Sequence, residues 1–173
     1  LPAILFALEN DTHVVISTST INLQEQLINK DIPHLLRALS QGQKSVSRLR
    51  SVQVKGRSNY LCLRRWNSLR ISEGFTPDEV KTLVRLSVWL SSSEHGDRAE
   101  LNLTEGEAAF WNRVCAQPDH CVAGGCSYRV QGTCYLYRAR KATEGAHLIV
   151  VNHALLLSDM VASTRLLPDH DYL

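Results

Sequence analysis

No stretch of the 173-residue chain approaches the roughly 18 to 20 uninterrupted apolar residues that a bilayer-spanning helix needs, and no basic region leads into an apolar signal segment at the N-terminus. Membrane and secretory roles are therefore not expected. Aromatic residues are scarce, with Phe 3, Trp 3 and Tyr 5. The formal net charge is only +2, so the whole-chain balance announces no polyanionic partner. Internal repeats and low-complexity tracts are absent as well. What remains is a chain with 44% hydrophobic and 21% charged residues, the composition of a globular protein with room for about one domain. It opens without Met on the apolar run Leu1 to Leu8 and closes on Asp171-Tyr172-Leu173, where a strand pattern begins. Both ends read as internal, and the expectation is a segment of a longer protein.

Leu1, Ile4, Leu5 and Leu8 share one helical face, and His13 to Ser17 is a β-branched run with the pattern of a buried strand. Thr18, Ser19 and Thr20 offer N-caps to an amphipathic helix reaching about Asn29, and Asp31 offers a cap to a second short helix through Leu39. After a Ser/Gln-rich loop, Val52-Gln53-Val54 is a short strand. Helix is expected from about Ser58 to Ile71. Capping boxes at Thr76-Pro77-Asp78-Glu79 and Thr104-Glu105-Gly106-Glu107 start two more. Residues 115–133 are irregular, with Pro118, Gly124, Gly125 and Gly132; a helix from Tyr135 to Thr143, the strand His147 to Val151 and an apolar helical turn from Ala154 to Met160 complete the reading. Strands thus gather at the two ends of the chain. The fold expected is an α/β layer formed by residues 1–55 and 144–173, interrupted by a mostly helical insertion at 56–143.

Five cysteines stand at 62, 115, 121, 126 and 134. An odd count and no secretory signal argue against disulfides. Zinc takes four ligands, commonly from hooks of two cysteines separated by two to four residues, whereas Cys121 and Cys126 are separated by four and Cys126 and Cys134 by seven. An iron-sulfur cluster also takes four thiolates and tolerates wider, irregular spacing. Spacing alone points to a metal centre and does not choose between zinc and iron.

Charge is unevenly distributed. Residues 41–75 hold eight basic side chains, Lys44, Arg48, Arg50, Lys55, Arg57, Arg64, Arg65 and Arg70, against Glu73 alone, whereas residues 76–107 hold seven acidic against three basic. Tyr60 and Trp66 stand among the first set, and Tyr135 and Tyr137 stand beside Arg138 and Arg140. Arginines that meet phosphates and aromatics that stack on bases are the chemistry of nucleic-acid binding. The same residues also suit a solvated helical face laid over an aromatic core.

Four blocks carry a resemblance. Thr18-Ser19-Thr20-Ile21-Asn22-Leu23-Gln24-Glu25-Gln26-Leu27 is similar to a helicase motif Ia, and it is followed in order by Val54-Lys55-Gly56-Arg57-Ser58-Asn59-Tyr60-Leu61-Cys62. Cys121-x4-Cys126-x7-Cys134-Tyr135-Leu136-Tyr137-Arg138-Ala139-Arg140 and Ala146-His147-Leu148-Ile149-Val150-Val151-Asn152-His153-Ala154-Leu155-Leu156 come next. Together they resemble the DinG branch of the XPD-like iron-sulfur DNA helicases, almost end to end.

The resemblance implies a partial RecA-like (P-loop NTPase) lobe carrying an inserted iron-sulfur domain. It implies a 4Fe-4S cluster on Cys62, Cys121, Cys126 and Cys134, with Cys115 a spare buried thiol. It also implies single-stranded or forked DNA as partner, met by Thr18, Thr20, Gln24, Lys55, Arg57, Tyr60, Arg64, Arg138, Arg140, Asn152 and His153. ATP and Mg2+ belong to the parent chain: no G-x-x-x-x-G-K-S/T sequence and no Asp-Glu-Ala-His stretch occurs here, and the resemblance puts the first before Leu1 and the second after Leu173. The implied activity is ATP-dependent 5′ to 3′ unwinding in DNA repair or recombination, by a cytoplasmic, nucleoid-associated enzyme, with this segment inactive apart from the remainder of its parent. Some relatives resemble nuclease fusions. The alternative reading is a zinc-stabilised four-cysteine module that binds nucleic acid and has no enzyme activity.

Overall fold

A computed structural model describes residues 2–40, 48–121, 125–162 and 167–169. Most of the expected Ser/Gln-rich loop and the strand pattern at Asp171 lie outside the described residues. The chain divides into two units, residues 1–55 with 139–173, and residues 56–138. No helix among the described residues is long and apolar enough to cross a membrane.

The first unit is α/β. Helix α1 (Pro2–Asn10) leads through Asp11, whose φ of 48° makes the turn, into strand β1 (Val14–Thr18). Helices α2 (Ile21–Gln26) and α3 (Ile32–Ser40) precede strand β2 (Ser51–Gln53), and strand β3 (Leu148–Asn152) runs into helix α9 (His153–Met160). The strands form a parallel sheet in the order β1-β3-β2, with Thr18 opposite Asn152 and Gln53 opposite Val150. Parallel sheets are covered on both faces, which is why β3 is apolar without alternation. Leu148 and Val150 face Ile4, Ala7 and Ile32, and Ile149 and Val151 face Val15, Val54 and Leu156.

The expected break at Asp31 is not made. A π-helical turn over Leu27–Asp31 joins α2 to α3, and Ile32 N–H donates to Leu27 O instead. The wider turn suits Pro33, which has no N–H to continue the ordinary ladder. Asp31 accepts from the Gln26 side-chain amide at 3.2 Å rather than capping.

The second unit is helical. Helix α4 (Leu63–Leu69) starts five residues later than its composition suggests. The backbone before it is held elsewhere: Arg57–Asn59 form a 3-10 turn, and Tyr60 and Leu61 bridge to Asp97 and Cys115. Helices α5 (Pro77–Leu90) and α6 (Glu105–Val114) begin at the expected Thr76 and Thr104 capping boxes, both of which are complete. Short helix α7 (Ser127–Val130) follows, and helix α8 (Tyr135–Lys141) begins after Cys134. Leu61, Trp66, Leu86, Phe110, Trp111, Val114 and Cys115 form the core. Trp111 packs edge-on against Trp89 with centroids 5.9 Å apart, and its indole N–H donates to Ser58 O at 2.8 Å.

Candidate nucleic-acid interface and cysteine site

In the first unit the polar side chains gather at the carboxyl ends of the parallel strands, where α/β sheets carry their ligand sites. Thr20 is exposed and caps α2, its hydroxyl oxygen accepting from Leu23 N–H at 3.2 Å. Asn152 caps α9 by accepting from Leu155 N–H at 2.9 Å. His153 is exposed and its Nδ1 lies 2.6 Å from Ser17 Oγ, tying β1 to the start of α9. Ser17 was not legible as a site residue, because the strand register that brings it there spans 136 positions.

Several expected contact residues turn inward. Gln24 is fully buried, and its amide donates to Val54 O at 3.2 Å and Val150 O at 3.1 Å. Thr18 is buried and donates to Thr20 O at 2.9 Å. The ammonium of Lys55 is buried in an ion pair with Glu25, 2.8 Å away. Tyr60 is buried too. The reason is common to all four: these groups close hydrogen bonds or core volume that the local fold leaves open, and a buried group meets DNA only by leaving those partners. Arg57 and Arg64 are half-buried, Arg138 is exposed and Arg140 is half-buried.

The cysteines of the second unit fall into two kinds. Cys115 belongs to the apolar core, its thiol 3.8 Å from Asn112 O. Burial pushes that thiol up, against the pull of Arg65 and Arg98. Cys62 and Cys126 stand at the N-caps of α4 and α7 with no capping bond from sulfur. Cys134 precedes α8, its carbonyl accepting from Arg138 N–H at 2.9 Å. Burial is the main cause raising the Cys134 thiol; the Tyr137 N–H opposes it, and Cys121, Cys62 and Cys126 add to the rise. All five thiols are free. Among the described residues no three His, Cys, Asp or Glu side chains stand as a metal-holding group. The donor set nevertheless fits an iron-sulfur cluster in kind: besides the buried Cys115 there are four free thiols, the number such a cluster takes.

Neighbouring contacts order these segments. Asn67 on α4 donates to Tyr128 on α7 at 2.5 Å, and Arg65 donates to Cys115 O at 2.6 Å. The guanidinium of Arg129 lies 4.7 Å from the Tyr137 ring centroid, and that of Arg138 lies 5.9 Å from the Tyr135 centroid.

No family model matches the chain. It is 37% identical over 184 residues to the ATP-dependent helicase DinG of Mycobacterium tuberculosis, covering 98% of this chain and 27% of that protein. It is 34% identical over 169 residues to the 3′-5′ exonuclease DinG of Bacillus subtilis, covering 98% of this chain and 17% of that protein. To the ATP-dependent DNA helicase YoaA of Escherichia coli it is 31% identical over 171 residues, covering 95% of this chain and 26% of that protein. The α/β sheet with its polar carboxyl-end rim is compatible with part of a helicase lobe, and these matches name which kind. Along nearly its whole length the chain matches a segment of the DinG and YoaA helicases, and it spans between 17% and 27% of the length of these relatives. A zinc module without enzyme activity finds no support among them.

Proposed function

We propose that this chain is the strand-handling part of an ATP-dependent DNA helicase: residues of a RecA-like lobe together with an inserted domain that carries a 4Fe-4S cluster. The unwinding is 5′ to 3′, in DNA repair or recombination, on single-stranded or forked DNA. ATP and Mg2+ bind and react elsewhere in the parent protein, whose lobes drive translocation.

Cys62, Cys121, Cys126 and Cys134 hold the cluster. What supports this reading is the donor set: besides Cys115, which is packed in the core, the chain offers four free thiols, with Cys62 and Cys126 at helix N-caps and Cys134 just ahead of α8. Four thiolates gathered on one inorganic centre supply a rigid tie between Cys62 and a loop about sixty residues later, and such binding draws ligands together as it forms. Arg57, Arg64 and Arg138 then meet phosphates on the inserted domain. Thr20, Asn152, His153 and Arg140 meet the strand on the α/β unit. Gln24, Thr18 and Lys55 are buried within the α/β unit, and Tyr60 is buried within the inserted domain.

The test is anaerobic purification with iron, sulfide and zinc analysis. The unsubstituted chain is expected to hold about four iron and four sulfide. Cys126→Ser loses the visible absorption and most single-strand affinity, whereas Cys115→Ser keeps both. One zinc per chain, or iron retained after Cys126→Ser, overturns the assignment.

A further inference from the structure

Gly96 touches the neighbours of two distant cysteines. Its carbonyl accepts from Leu61 N–H at 2.8 Å, and Leu61 directly precedes Cys62. Its Cα faces Tyr135, which directly follows Cys134: a Cβ built on Gly96 would lie 2.4 Å from Tyr135 Cδ2 and 2.5 Å from Cγ. Its φ of +60° is a conformation that side-chain-bearing residues rarely adopt, and its own N–H donates to Ser93 Oγ at 2.8 Å.

The ring that would be struck has no easy retreat. Cγ is the root of the ring, and Tyr135 packs against the core of the second unit. On the other side, Cys62 N–H donates to Val114 O and Ala116 N–H to Tyr60 O, each at 2.8 Å, so the strand-like segment before Cys62 is also fixed. Gly96 joins these two anchors directly, touching Leu61 through its carbonyl and Tyr135 through its Cα. By contrast, the spacing of Cys126 and Cys134 is set within their own loop, where Thr133 and Cys134 N–H both donate to Tyr128 O, at 2.9 and 3.0 Å.

From this geometry we infer that Gly96 is a positioning residue: its bare Cα and left-handed turn set the distance between Cys62 and Cys134, so that the far-upstream thiol reaches the other three. The inference rests on the four-cysteine reading above, and deepens it by naming what aligns the ligands.

The test uses the whole chain free of metal, so that it does not depend on a cluster. In a background carrying Cys115→Ser, Cys121→Ser and Cys126→Ser, a bis-maleimide cross-links Cys62 to Cys134, with the yield read by peptide mass spectrometry. A second background leaves Cys126 and Cys134 as the pair.

Gly96→Ala is expected to cut the Cys62–Cys134 yield about tenfold, the scale of forcing a side chain into a left-handed turn, while the Cys126–Cys134 yield stays unchanged. Tyr135→Ala keeps the turn, removes the ring and gives the same selective loss; it decides the matter if Gly96→Ala does not fold by circular dichroism. Yields unchanged in the folded variants, or falling alike for both pairs, overturn the inference. Iron analysis of the unsubstituted chain is independent: no iron there with a selective cross-link loss sinks the cluster and leaves Gly96 as the spacer of the thiols.

Discussion

Arg113 on α6 lies 2.5 Å from Glu79 on α5, and the same carboxylate accepts Thr76 N–H at 2.9 Å to close the capping box that starts α5. One side chain thus begins a helix and fastens it to its neighbour. Glu107 repeats the device on α6, accepting from Thr104 N–H at 2.9 Å while Arg85 lies 2.6 Å from its carboxylate.

These pairings predict that the second unit loses some stability in acid. The Thr76 backbone bond, then Arg113, holds Glu79 below the usual glutamate range, and the Arg85 contact, then Thr104, does the same for Glu107. A carboxylate whose folded pKa is depressed stabilises the fold above its unfolded pKa and loses that contribution as pH falls through the folded value. Thermal unfolding followed by circular dichroism should therefore show the midpoint falling as pH drops below about 4.3, the ordinary glutamate pKa. Glu79→Gln should flatten that fall. Thr76→Ala should lower stability by about 1 kcal/mol at neutral pH.

Gln24 is expected to matter for stability more than for DNA. Its amide joins Val54 O to Val150 O across two strands, and Gln24→Ala leaves that buried pair of carbonyls without it. A loss of about 1–3 kcal/mol in urea unfolding is the expected scale. A fully stable Gln24→Ala protein with reduced single-strand affinity would return this residue to the binding surface.

The arginines offer a separate test. If Arg57, Arg64 and Arg138 meet phosphates, each change to Gln should weaken single-strand binding about equally across sequences. Each should also shallow the slope of log affinity against log salt by about 0.7, the single-strand value per phosphate contact. Fluorescence anisotropy over a salt series measures this. An unchanged slope with unchanged affinity in all three variants would place the DNA elsewhere.

Much of the fold was legible because it rests on local rules. The Thr76 and Thr104 boxes are short-range hydrogen-bond patterns, and both helices begin where those residues stand. The apolar run at 148–151 reads as a buried strand, since a strand covered on both faces has no polar side to show. The helix anticipated from Ser58 failed for the opposite reason: Tyr60 and Leu61 pair with Asp97 and Cys115, partners 37 and 54 positions away that no local pattern announces.

The sequence by itself carried the likeness to DinG and YoaA helicases, through four ordered blocks, because identity along the chain needs no coordinates. It also determined where helices start, because caps act over three or four residues. Only the tertiary structure decided which polar groups face solvent. Gln24 and Lys55 read as contacts in one dimension, yet packing turns both inward, since a buried carbonyl or carboxylate recruits whatever donor lies in reach. The structure alone also joined Leu61 and Tyr135 through Gly96, a meeting made by chain segments far apart in sequence and close only once folded.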